Sequence, residues 1–172
     1  MSVFIREAKT QDAETIGKLA AQTFTETFEW YNTAENMRDY NETHLTKNII
    51  EDEIADERSV LYVAIFAEEI VGYAKLKDSE TPAELGNSTS IEIERLYVKK
   101  DFHNKKVGLA LMNFCIEKAK EKNAEIIWLG VWEQNPRAIN FYTRVGFSKF
   151  GQHVFQLGDD AQIDYLMKMD LK

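Results

Sequence analysis

Residues 91–112 read IEIERLYVKKDFHNKKVGLALM. The stretch starts as an alternating strand, with Ile91 and Ile93 on one face. The alternation then breaks, because Leu96 and Val98 stand on the other parity. A β-bulge near Arg95 takes up one residue and returns both pairs to a common face. A polar turn follows, and then a helix from about Lys106 to Lys122 with Val107, Ala110, Leu111, Phe114 and Cys115 as its apolar stripe. Lys118, Lys120 and Lys122 fill its last turn, which suits the negative end of the helix dipole. The next segment, AEIIWLGVW at 124–132, is a continuous apolar run of the kind buried on both faces of a sheet. Strand, helix and strand over residues 90–132 thus predict a right-handed parallel crossover. Such a unit points a helix N-terminus out at the carboxyl end of a central strand, where ligands commonly sit.

Flanking segments extend the sheet. NPRAINFYTRVGF at 135–147 predicts a helix with Asn135 as N-cap, Pro136 in its first position and Gly146 at its stop. KFGQHVFQL and QIDYLMKMDL after it read as two strands. Towards the N-terminus, SVLYVAIFA and EIVGYAKLK form a hairpin around an acidic turn at Glu68. VFIREA is a short first strand, and Thr10 is placed to cap a helix through DAETIGKLAAQTF. A second helix covers AENMRDYNETHL. The expected order is strand, two helices, three strands, helix, strand, helix, two strands. That is a mixed α/β sheet.

Composition narrows the function classes. The chain has 172 residues, which suits one domain over 1–172, and its apolar content of 44% supports a core. A net charge of −8 argues against nucleic acid as partner and is compatible with a cationic small substrate. The single cysteine, Cys115, excludes an internal disulfide and reads as a buried thiol. His44, His103 and His153 lack a metal-ligand spacing, so no metal is expected. No run approaches about 18 apolar residues and no secretory leader is seen, so no membrane association and a cytoplasmic location are expected. The terminal strands either pair across a homodimer or close the sheet.

The turn before the Lys106 helix has the makings of a phosphate cradle. The first helical N–H groups lack intrahelical partners, Gly108 allows close approach, and Lys105 and Lys106 add positive charge. Lysines at a helix start also simply face water. At this point the sequence resembles the Gcn5-related N-acetyltransferase (GNAT) superfamily. The family loop, Gln or Arg, two residues, Gly, one residue, then Gly or Ala, falls on His103, Asn104, Lys105, Lys106, Val107 and Gly108. His103 and Lys106 depart from it. The family signature Asn-x-x-Ala-x-x-x-Tyr-x-x-x-Gly-Phe is complete at Asn135, Ala138, Tyr142, Gly146 and Phe147. ENMRDY, IEIERLYV and IWLGVWEQNPRAINFYTRVGF further resemble the bacterial PaiA-type spermidine/spermine N-acetyltransferases.

The resemblance implies an α/β fold: a mixed, mostly antiparallel sheet of about seven strands, helices on both faces, and a V-shaped splay between two central parallel strands. It implies acetyl-CoA as co-substrate and a primary amine, such as a polyamine, as acceptor. It assigns coenzyme binding to Leu96, Tyr97 and Val98, to His103 through the Leu109 amide, to Asn135 and to Arg144. Tyr142 becomes the general acid for the departing thiolate. Glu92, six residues before Val98, is the first candidate for general base and Glu94 the second; where some relatives place a Glu on the next strand, this chain has Gly130. The aromatic and acidic segment with Glu29, Trp30 and Tyr31, together with Trp132, is the candidate substrate wall. Other acceptors (a protein N-terminus, a lysine, another small amine) and a non-catalytic coenzyme-binding module remain as alternatives.

Overall fold

The computed structural model describes residues 2–172. Its strands are β1 (Phe4–Glu7), β2 (Ser59–Phe66), β3 (Glu69–Lys77), β4 (Ser90–Val98), β5 (Ile126–Trp132), β6 (Ser148–Leu157) and β7 (Asp160–Asp170). They form one sheet in the order β1-β2-β3-β4-β5-β7-β6. All neighbours are antiparallel except β4 and β5. The helices are α1 (Ala13–Phe28), α2 (Ala34–His44), α3 (Lys47–Ala55), α4 (Val107–Glu121) and α5 (Pro136–Val145).

Two apolar cores lie on opposite faces. On one, Val107, Leu111, Met112 and Cys115 of α4 pack on Ile91, Ile93, Ile127 and Leu129, with Tyr142 and Phe147 at the margin. On the other, Ile16, Leu19, Phe24 and Phe28 of α1 cover Leu61, Val63, Tyr73 and Trp132.

Three details differ from the sequence reading. A third helix, α3, follows α2; its short NIIEDEIA pattern is marked only by Thr46, whose hydroxyl accepts from the Ile49 amide. Thr10 does not cap α1. It opens a short 3-10 turn, because Asp12 takes the Lys9 amide at 2.7 Å and a bidentate pair from Arg6. Helix α4 begins at Val107, and Lys106 before it is left-handed with φ of 59°.

The bulge falls beside Arg95, as expected. Ile93 pairs with Leu76 and Arg95 with Lys75, so Glu94 is the extra residue. This bulge is tied down by charge. Glu53 of α3 receives a bidentate pair from Arg95, at 2.8 and 2.9 Å, and the ammonium of Lys75 at 2.9 Å. Lys75 also meets Glu94 at 2.5 Å, and Lys77 meets it at 3.1 Å. Lys75 is only 4% exposed, so the pairs work with little solvent screening. Glu53→Gln would take the carboxylate from the buried Arg95 guanidinium and leave Lys75 with Glu94 alone. It is expected to destabilise the fold by about 3 kcal/mol in urea titration; a loss under about 0.5 kcal/mol would mean the network is dispensable.

Candidate active site

The central parallel pair is paired for only four residues, Ser90–Ile93 against Ile126–Leu129. Both strands run on, to Val98 and to Trp132, without further pairing between them. Each keeps its outer neighbour: β4 stays with β3 through Val98, and β5 with β7 through Trp132. The result is a wedge opening at the carboxyl ends, as the resemblance implies.

Alternation decides which backbone groups line the wedge. The Lys99 amide donates to Val71 O at 2.8 Å, so odd residues of this part of β4 turn to β3 and the even ones, Leu96 and Val98, turn to the wedge. On the other side Glu133 N donates to Ile163 O at 3.0 Å, so Gly130 and Trp132 turn to the wedge. Trp132 O is taken by the Asn135 amide at 3.0 Å, and Val98 O by His103 Nε2 at 2.8 Å. The Leu96 groups and the Val98 N–H thus face the opening, as an unpaired edge able to take a ligand as a pseudo-strand.

Three elements meet at the mouth. A Cβ on Gly108 would lie 3.8 Å from Phe141 of α5 and 3.9 Å from Val98 of β4. The first α4 bond is from Ala110 N to Lys106 O at 3.0 Å, which leaves the amides of Val107, Gly108 and Leu109 for an anion. Lys106 adopts the left-handed conformation at the position where the family loop has glycine. That conformation costs a side-chain residue roughly 1–2 kcal/mol. His103, in place of Gln or Arg, ties the turn back to the strand end. Burial lowers its pKa, so the ring is neutral, and a bond to a carbonyl requires the Nε2–H tautomer. Asn104, Lys105, Lys106 and Leu109 are exposed around this turn; Lys105 Nζ stands 5.5 Å above the Phe66 ring.

Helix α5 brings the second set. Asn135 caps it through its side-chain oxygen, which accepts from Ala138 N at 3.2 Å, so its amide NH2 stays available. Gly146 closes it at φ of 118°, and the Phe147 amide returns to Tyr142 O at 3.0 Å. Tyr142 sits on the last turn, half-buried, edge-on to Phe141 at 5.4 Å. Burial pushes its phenol up to about 12, and the Cys115 thiol adds to this. Arg144 is exposed beyond it.

Glu92 and Glu94 are distinguished by their surroundings. Burial raises Glu92, against the hydrogen bond from Ser79 and assisted by the nearby charge of Glu94. Burial also acts on Glu94, but Lys75, Arg95 and Lys77 outweigh it and hold its carboxyl below the usual range. Glu92 is the better proton acceptor of the two.

The expected substrate wall is split. Glu29, Trp30 and Tyr31 form a 3-10 turn after α1; Trp30 is 84% exposed and Glu29 faces water too. Tyr31 is exposed as well, but its ring stands edge-on to the buried Trp132 at 4.9 Å. Sequence reasoning missed Tyr40, His153, Gln162 and Asp164, which share the Trp132 face. Tyr40 packs on Phe24 and Phe155, while His153 and Asp164 are register partners on β6 and β7. Alternation within QIDYLMKMDL was the signal available for Gln162 and Asp164, but it did not say which face they joined.

The pattern of the acetyltransferase (GNAT) family matches residues 21–147. The chain belongs to the GNAT family. An uncharacterized N-acetyltransferase from the pepI 3′ region of Lactobacillus delbrueckii subsp. lactis is 36% identical over 169 residues, 98% of each chain. The spermidine N(1)-acetyltransferase of Thermoplasma acidophilum is 27% identical over 151 residues, 86% of this chain and 89% of that one. The crystal structure of the PaiA N-acetyltransferase of Thermoplasma acidophilum with coenzyme A superposes with a TM-score of 0.77 at 22% identity, covering 99% of both chains. This GNAT protein is therefore an N-acetyltransferase that draws its acetyl group from acetyl-CoA. The open β4 edge and the three spare amides of α4 fit such a donor. Among the described residues no cluster of metal-ligating side chains occurs, and no helix is long and apolar enough to cross a membrane.

The His103–Val98 bond gives a direct test of the loop. His103→Ala is expected to weaken coenzyme A binding about five- to tenfold by calorimetry, while His103→Gln, still a donor, stays close to the parent. Equal affinity for all three would remove the bond from any part in shaping the loop.

Proposed function

We propose that the GNAT protein acetylates a primary amine of a polyamine such as spermidine. One observation carries the reading: after ion pairing, the acceptor face keeps Glu92 and Asp164 without a lysine or arginine pair. Lys75, Lys77 and Arg95 are engaged by Glu53 and Glu94. What stays open on that face is suited to a cation. The named activity of the Thermoplasma spermidine relative supports the same reading.

An alkyl ammonium has a pKa near 10.4 and must lose a proton before it attacks the thioester. Glu92, raised by burial, accepts that proton directly or through one water. The Val98 N–H, directed into the wedge, stabilises the oxyanion. Leu96 and Val98 pair with the pantetheine arm, Tyr97 keeps the strand registered on β3, and the amides of Val107, Gly108 and Leu109 hold the pyrophosphate. The side chains of Lys105, Lys106 and Arg144 add positive charge around it, and Asn135 offers its spare NH2. Tyr142, still protonated at every working pH, returns a proton to the thiolate.

Glu92→Gln is expected to lower kcat by about 10²–10⁴-fold. In the parent, kcat/KM should rise with pH as Glu92 loses its proton. Because its pKa is raised, that acidic limb lies above the range of an ordinary glutamate, and it should vanish in the Gln variant. Tyr142→Phe should reduce turnover while leaving coenzyme A affinity within about threefold; a collapse of affinity instead would give Tyr142 a packing role.

A free-thiol assay with acetyl-CoA across spermidine, spermine, monoamines, amino acids and peptide N-termini, with mass spectrometry of products, tests the acceptor. Peptide acetylation without polyamine acetylation would replace the proposal. Coenzyme binding without thiol release from any amine would make the chain a binding module.

A further inference from the structure

Buried polar side-chain atoms without a partner are few in folded proteins and call for a reason. Among the described residues, five atoms are of this kind: Asn41 Oδ1, Glu94 Oε2, Trp128 Nε1, Gln162 Oε1 and Asp164 Oδ1. Four are acceptors, and of these Glu94 Oε2 has the Lys75 ammonium at 2.5 Å. Gln162 is only 5% exposed, so its carbonyl has little access to bulk water. Gln162 and Asp164 are two apart on β7 and so share a face. Their register partners, Phe155 for Gln162 and Trp132 for Asp164, both belong to the core beneath α1 and α2. Tyr40, next to Asn41, packs on Phe155 at 6.0 Å.

Gly130 sets how close this row comes to β5, one strand of the wedge. A Cβ there would lie 3.5 Å from Asp164 Oδ2 and 3.7 Å from His153 Nε2. The missing side chain lets the Asp164 carboxylate lean over β5 where β4 has left it. Asp164 Oδ2 is 3.6 Å from His153 Nε2, while Oδ1 has no partner. Further along the same face, Gln162 Nε2 donates to Asp160 Oδ2 at 2.8 Å, and Asn32 Nδ2 donates to that same oxygen at 2.9 Å. The Gln162 amide is thereby oriented, with its NH2 engaged and its oxygen left over.

We propose that Asp164 and Gln162 form a subsite on β7 that holds a second, non-reacting ammonium of the acceptor. It rests on the polyamine reading above and deepens it: the enzyme selects an amine by a charge one spacer away from the reacting nitrogen. An ammonium has donors only, and the row offers acceptors only. Asp164 binds and positions; it touches no bond that forms or breaks.

The test compares spermidine with butylamine for the parent, Asp164→Asn and Gln162→Met. Asparagine keeps the shape of Asp164 and removes a buried charge, so the variant is expected to fold, as thermal melting will check. Asp164→Asn should raise the KM for spermidine about 10- to 100-fold with kcat little changed, and leave butylamine kinetics within about twofold. Gln162→Met should act in the same direction with a smaller effect. Spermidine preference unaltered in both variants would overturn the subsite while leaving the polyamine reading standing. A parent enzyme that acetylates butylamine as well as spermidine would overturn both. An equal fall in kcat for the two amines would make Asp164 part of proton transfer and overturn the anchoring role.

Discussion

The parting of β4 from β5 is the constraint on which the site depends. Backbone N–H and C=O groups in the middle of a sheet normally pair, and leaving them unpaired is costly. Here each strand holds firmly to its outer neighbour and releases the inner one after Ile93 and Leu129. The extra residue Glu94 bends β4 at that point. The Leu96 and Val98 edge is thus left unpaired on its β5 side, the kind of edge an extended ligand can join.

Once the sheet opens, its two faces take different tasks. The α4 face carries the spare helix amides, Gly108, and Tyr142 at the end of α5. The opposite face, under α1 and α2, gathers carboxylates and spare acceptors. Charge pairing separates these duties further. Glu53 and Glu94 neutralise Lys75, Lys77 and Arg95 and hold the bulge, while Glu92 keeps only a Ser79 contact and a raised pKa. Two glutamates one strand-repeat apart thereby acquire opposite character.

The departures in the turn before α4 separate side-chain identity from backbone geometry. The turn needs a left-handed residue before α4, and Lys106 supplies it at a conformational cost that glycine would avoid. It needs a tether to the strand end, and the neutral His103 ring reaches Val98 O. The amides of Val107, Gly108 and Leu109 depend on helix geometry and survive both changes.

Much was legible in the sequence because it is local. The parity change between Ile93 and Leu96 announces a bulge wherever the strand lies. Asn135, Pro136 and Gly146 bound α5 through their own backbone chemistry, and the signature through Phe147 carries the family. Helix α3 was not legible, since nine residues of weak apolar pattern are held by packing against α1 and by Glu53. Nor could the chain alone tell Glu92 from Glu94, or bring Asp164 over Gly130. Those outcomes depend on groups more than ten residues away in sequence, and a pKa or a face is set by whatever the fold places beside it. The sequence by itself determined the strands, helices α1, α2, α4 and α5, and the family whose donor is acetyl-CoA; only the tertiary structure decided α3 and which carboxylates stay unpaired, because burial and ion pairing exist only between segments that folding brings together.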